Sequence, residues 1–112
     1  MKTFLLSIFF VLAYCTCGFC HSPSDIEITV KDTGIELAVS HSVSSPSSHY
    51  VKKIEVKVNG ETAARKDFTT QTDDMTQKAS IDISSLKKGD VLEITAYCNR
   101  SGQRTKSVTV DK

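Results

Sequence analysis

The chain has 112 residues, with 14 basic and 13 acidic side chains and a formal charge of +1. That length holds one domain and excludes a large multidomain enzyme. The balanced charge gives no electrostatic case for nucleic acid or an acidic membrane surface as a partner. Four cysteines in a short chain first suggest a two-disulfide scaffold. Their positions argue otherwise, because Cys15, Cys17 and Cys20 crowd the N-terminus and Cys98 stands far from them.

The first twenty residues read as an export signal. Lys2 precedes an apolar stretch, Phe4 to Ala13, and small residues follow it, the pattern of a secretory signal peptide. The stretch is too short for a spanning helix, which needs about 20 apolar residues. Small residues at both required positions allow cleavage after Cys15, Cys17 or Cys20; cleavage after Cys20 is the preferred choice. Leu12-Ala13-Tyr14-Cys15 has a faint lipoprotein-box character, but Tyr14 is too bulky beside a modified cysteine, so lipid anchoring is disfavoured. The expected organisation is a signal peptide over 1–20 and one domain over 21–112, secreted or periplasmic, with no membrane contact in the mature form. Removing Lys2 and no acid leaves that domain neutral, with a single thiol, Cys98. A lone thiol in an oxidising compartment calls for burial, a partner or a metal.

From Asp25 onward the apolar period is two. Ile26, Ile28 and Val30 alternate with polar residues, and Lys31-Asp32-Thr33-Gly34 supplies a turn. Ile35, Leu37 and Val39 continue the alternation, with His41 next in phase. A serine-rich loop, Ser42 to Ser48 with Pro46, precedes a strand in which Ile54, Val56 and Val58 face inward. Asn59-Gly60 is a strong hairpin signal because both turn positions need positive φ. A weaker strand covers Glu61 to Phe68, followed by a polar loop, Thr69 to Asp74. Further strands are expected at 76–83, 91–98 and 106–110, with turns at 87–90 and 99–102. About seven short strands and no helix predict an all-β, immunoglobulin-like antiparallel sandwich. The absence of Trp and the single mature cysteine exclude the antibody type. Phe68, Tyr50 and Tyr97 are the expected core aromatics, and a core this modest would gain stability from a bound ion.

All three histidines, His21, His41 and His49, lie early in the mature chain, each near an expected strand end. Cys98 shares the inward parity of Leu92, Ile94 and Ala96, also at a strand end. Taken singly, each has an ordinary reading: Cys98 as a small buried hydrophobe, His21 as a terminal residue, His49 as a loop-edge residue. Taken together, three imidazoles and one thiolate at one pole of a sandwich form a mixed N/S transition-metal donor set.

The order His21, His41, a Ser/Pro loop, His49-Tyr50-Val51, then Tyr97-Cys98-Asn99-x-x-Gly102 resembles the iron-centre domain of the desulfoferrodoxin/neelaredoxin family of superoxide reductases. The resemblance covers essentially the whole mature chain. It implies an immunoglobulin-like sandwich in which four histidines hold ferrous iron equatorially and a cysteine sulfur binds axially. The open sixth position takes superoxide, and an electron-donor protein is the implied partner. By position, His21, His41 and His49 would be equatorial ligands and Cys98 the axial thiolate. Three departures stand out. Ser101 occupies the place of the fourth histidine. Ser42 follows His41 where the family has proline, in a longer gap before His49. Cys20 stands where a lysine precedes the first family histidine.

A serine hydroxyl is a poor ligand beside imidazoles, which leaves three nitrogens and one sulfur. Mononuclear non-haem iron is the expected cofactor, and a four-coordinate set of this kind also suits copper or zinc. No catalytic side chain other than the ligands is expected. The alternatives are a metal-binding module without turnover, and a metal-free sandwich recruiting a partner through Lys52, Lys53 and Lys57 or Arg100, Arg104 and Lys106. Asn99-Arg100-Ser101 is also a glycosylation sequon, meaningful in a eukaryotic secretory pathway.

Overall fold

In the computed structural model, which describes residues 22–111, the alternating segments form seven strands. They are β1 (Asp25–Lys31), β2 (Gly34–Ser40), β3 (Val51–Val58), β4 (Glu61–Asp67), β5 (Thr76–Asp82), β6 (Val91–Cys98) and β7 (Gln103–Thr109). The segment expected to serve as an export signal, 1–20, and His21 lie outside the described residues. All pairings are antiparallel, in a three-stranded sheet ordered β1-β2-β5 and a four-stranded sheet ordered β4-β3-β6-β7. The chain is an all-β, immunoglobulin-like sandwich. No helix among the described residues is long and apolar enough to cross a membrane.

The turns follow local chemistry. Asn59 and Gly60 take φ of 52° and 88°, the paired left-handed conformations of a tight hairpin turn. Gly34 opens β2 at a point where a Cβ would run into the Ile81 carbonyl of β5. Any larger residue would push the two strands apart.

The core is aliphatic. Ile26, Ile35, Leu37 and Val39 of the small sheet face Ile54, Val56, Leu92 and Ile94 of the large one, with Phe68 packed at the margin. Tyr97 departs from the sequence expectation. Alternation in β6 turns it outward, where its hydroxyl donates to Glu55 Oε1 (2.8 Å) and the Lys53 ammonium sits 4.4 Å from its ring centre. Glu55 also pushes the Tyr97 phenol pKa above its ordinary value, chiefly through that hydrogen bond. The last strand begins three residues earlier than its apolar pattern suggests. Gln103 to Thr105 are exposed, and pairing with β6 rather than burial fixes them in the sheet.

One irregularity shapes the end of the sandwich where Cys98 sits. In β3 the buried positions are Val51, Ile54 and Val56, so the period of two breaks at Lys52. Opposite it, Val51 pairs with Cys98 while Lys53 pairs with Tyr97. This bulge carries one extra residue and resets the phase. Without it, Lys52 rather than Val51 would face inward beside Cys98.

Candidate metal centre

Three of the four expected ligands meet at one pole. The donor atoms of His41, His49 and Cys98 all lie within 4.8 Å of one another. His49 Nε2 is 3.2 Å from Cys98 Sγ. The His41 and His49 rings meet edge to face, with centroids 4.8 Å apart and planes at 88°. His41 and Cys98 are 2% and 4% exposed, while His49 is half-buried.

Each side chain is delivered by a different part of the fold. His41 is the first residue after β2, and its N–H donates to the Met75 carbonyl (2.9 Å), which continues the β2–β5 ladder past the strand end. Inward parity with Leu37 and Val39 buries its ring. His49 closes a single turn, its N–H bonded to the Ser45 carbonyl (2.9 Å). Cys98 ends β6, its N–H bonded to the Gly102 carbonyl (3.0 Å) across the loop to β7. The Arg100 N–H donates to Cys98 Sγ from 3.4 Å.

Asn99 fastens the histidine turn to the cysteine loop. Its Oδ1 accepts the Tyr50 N–H (2.9 Å), and its Nδ2 donates to the Ser48 carbonyl (3.1 Å). Its own N–H donates to the Tyr50 carbonyl (2.9 Å). The residues on both sides of His49 are thus held by the residue that follows Cys98. The asparagine of the sequon is engaged in this clamp.

His21 lies outside the described residues, but its neighbour does not. Ser22 packs on Gly102, whose φ is +89°; a Cβ at Gly102 would fall on Ser22 Oγ and about 3.1 Å from its Cα and Cβ. Arg104 Nε donates to the Pro23 carbonyl (3.0 Å) and Lys106 pairs with Asp25 (3.6 Å). The chain therefore enters the domain against the cysteine loop. Those two basic residues of β7 hold the entering chain, and Lys53 is engaged by Tyr97 and Glu55. Of the six basic residues named for the alternative docking edge, Lys53, Arg104 and Lys106 make these internal contacts.

The residue that sequence reasoning missed is Gln71. It lies in the polar loop between β4 and β5, yet is 4% exposed, with Oε1 2.8 Å from His41 Nδ1. A neutral amide in a polar loop carries no periodic signal of burial. Only the fold-back of that loop, with the Gln71 N–H on the Pro46 carbonyl (3.1 Å), places it inside.

Two nitrogens and one sulfur at this spacing fit a transition metal. Bonds of about 2.0–2.3 Å need donors a few ångströms apart, and carboxylates, the preferred ligands of calcium and magnesium, are missing from the group. The desulfoferrodoxin family model matches residues 20–106. The chain belongs to the desulfoferrodoxin family. No curated protein sequence matches it. Among solved structures it is similar to a single-site variant of superoxide reductase (neelaredoxin) from Ignicoccus hospitalis, at 21% identity and a TM-score of 0.50, covering 84% of this chain and 83% of that one. A second structure of the protein from that organism gives 21% identity and a TM-score of 0.48, over 78% and 79% of the two chains. At such identity the likeness speaks for the desulfoferrodoxin fold alone.

Proposed function

We propose that this desulfoferrodoxin-family chain is an exported non-haem iron protein of superoxide-reductase type, with His21, His41, His49 and Cys98 as its ligands. The observation that carries the reading is the convergence of His49 Nε2 on Cys98 Sγ at 3.2 Å with His41 beside them. In a family of iron-centre sandwiches, that donor set stands at the expected pole. Ser22, packed on the cysteine loop, supports His21 as the next donor. Export of residues 21–112 after removal of 1–20 rests on the Lys2 and Phe4–Ala13 pattern.

Iron bound there would supply the single electron that, with two protons, turns superoxide into hydrogen peroxide. The chain's own residues set the conditions. Cys98 would hold the ion through its sulfur, which also accepts the Arg100 N–H. His41 and His49 would hold the ion beside that sulfur, and Ser101, exposed where the resemblance places the family's fourth histidine, would leave room for water or substrate. That substitution favours a second reading, a metal-binding module with weakened or no turnover.

The test is anaerobic purification of the chain, metal analysis, and oxidation followed by visible absorption. Iron in about one equivalent and a thiolate-to-iron band absent from Cys98→Ala support the metal reading. Failure of iron, copper and zinc to co-purify or rebind overturns it. Superoxide consumption that rises in Ser101→His supports the reductase scaffold; a metal-loaded protein inert in both forms supports the second reading.

A further inference from the structure

At the metal pole the buried Gln71 amide is bonded at both of its ends. Its Oε1 accepts the Val51 N–H (3.2 Å), and its Nε2 donates to the carbonyls of His41 (2.7 Å) and Asp73 (2.9 Å). These partners decide which end of the amide is which. Carbonyl oxygens accept only from the NH2 end, and a backbone N–H donates only to the oxygen. The oxygen therefore faces His41 Nδ1 at 2.8 Å, and an oxygen at that distance requires the proton to be on Nδ1. A neutral imidazole protonated on Nδ1 carries its lone pair on Nε2.

We infer that Gln71 is a positioning residue for the metal ligand His41, holding its imidazole as the Nδ1–H tautomer so that Nε2 is the donor atom toward the metal. The consequence rests on the proposed metal site, while the tautomer itself does not. Metal-bound histidines commonly donate their second N–H to a carboxylate or carbonyl, which fixes ring orientation; here a side-chain amide takes that part. Gln71 also joins the two sheets. Through His41 it touches the end of β2, and through Val51 it touches the bulged residue paired with Cys98. One side chain thereby links the His41 ring to the bulged end of β3 that pairs with Cys98.

The experiment uses the metal-free protein labelled with ¹⁵N, above the ordinary imidazole pKa of about 6.5, together with competitive titration of Zn²⁺. Native His41 should show Nδ1–H. In Gln71→Leu the Nε2–H form should become at least equally populated, and Zn²⁺ affinity should fall about 10–100-fold. Gln71→Glu keeps an oxygen facing Nδ1 but loses both amide donors. It should lower thermal stability yet retain the Nδ1–H tautomer and Zn²⁺ affinity within a few-fold. A residue that merely braced the loop would give parallel losses of stability and affinity in the two variants. That result, or Nε2–H dominance in the native protein, overturns the inference. If Gln71→Leu does not fold, the native tautomer and the glutamate variant still decide. A native protein that binds no Zn²⁺ counts against the metal reading, while the His41 tautomer still settles what Gln71 does.

Discussion

At the scale of single residues, the pole depends on side chains that hold ligands as much as on the ligands. Asn99 contributes two side-chain hydrogen bonds, at 2.9 and 3.1 Å, to the backbone on either side of His49. Asn99→Ala leaves the Tyr50 N–H and Ser48 carbonyl without these partners, a loss of about 1–3 kcal/mol per group that water does not reach. Because Ser48 is exposed, the total should stay near the lower end. Chemical denaturation should show this modest loss, and Zn²⁺ titration a larger one, since His49 swings free of Cys98. Unchanged affinity would mean that the turn at 45–49 orders itself. His41 and Cys98 were legible in the sequence because each continues an alternating strand by one inward step. Gln71 was not, because its burial comes from loop closure around Pro46, and neither composition nor period encodes that.

At the scale of elements, β1, β2, β3 and β6 followed from alternation of Ile, Leu and Val, and the β3–β4 turn from Asn59-Gly60. The bulge at Lys52 was hidden. A run reading Val51-Lys52-Lys53-Ile54 is compatible with either phase until the β6 partner is known. The early start of β7 was hidden for a related reason, since exposed edge residues join a sheet through backbone pairing. The pole opposite the histidine–cysteine cluster is fastened by Asp90. Its carboxylate accepts the Lys87 N–H (2.9 Å) and the Asn59 amide (3.1 Å), and these bonds, the first foremost, hold its pKa below the ordinary 3.8. A carboxylate with a depressed folded pKa stabilises the fold above its unfolded pKa, and that contribution fades as pH falls through the folded value. Asp90→Asn should therefore melt below native protein near neutrality, with the gap narrowing once the pH drops under about 4. Melting curves across pH check this, and a constant gap would assign the effect to geometry rather than charge. Metal affinity should not change, because Asn59 and Asp90 stand at the far ends of β3 and β6 from Val51 and Cys98.

At the scale of the molecule, a metal at this pole would join the two sheets. His41 extends the three-stranded sheet, Cys98 ends a strand of the four-stranded one, and His49 lies in the segment that crosses between them. The buried core between the sheets is aliphatic, its one packed phenylalanine at the margin, so a cross-sheet bond adds to a modest interior. Binding that favours the folded state contributes about 2.7 kcal/mol at a hundredfold excess over Kd, and a domain of this size moves about 4–8 °C per kcal/mol. Chelation should thus lower the Tm by roughly 10–20 °C at such loading. Ile54, fully buried in mid-strand, provides the control. Ile54→Ala should cost about 2–5 kcal/mol through lost packing, and it should do so with or without metal. The chelator should then destabilise native protein and Ile54→Ala alike and leave Cys98→Ala untouched. Calorimetry of the three proteins with and without chelator measures all of this. An equal chelator effect in Cys98→Ala would place the stabilising ion elsewhere than between the sheets.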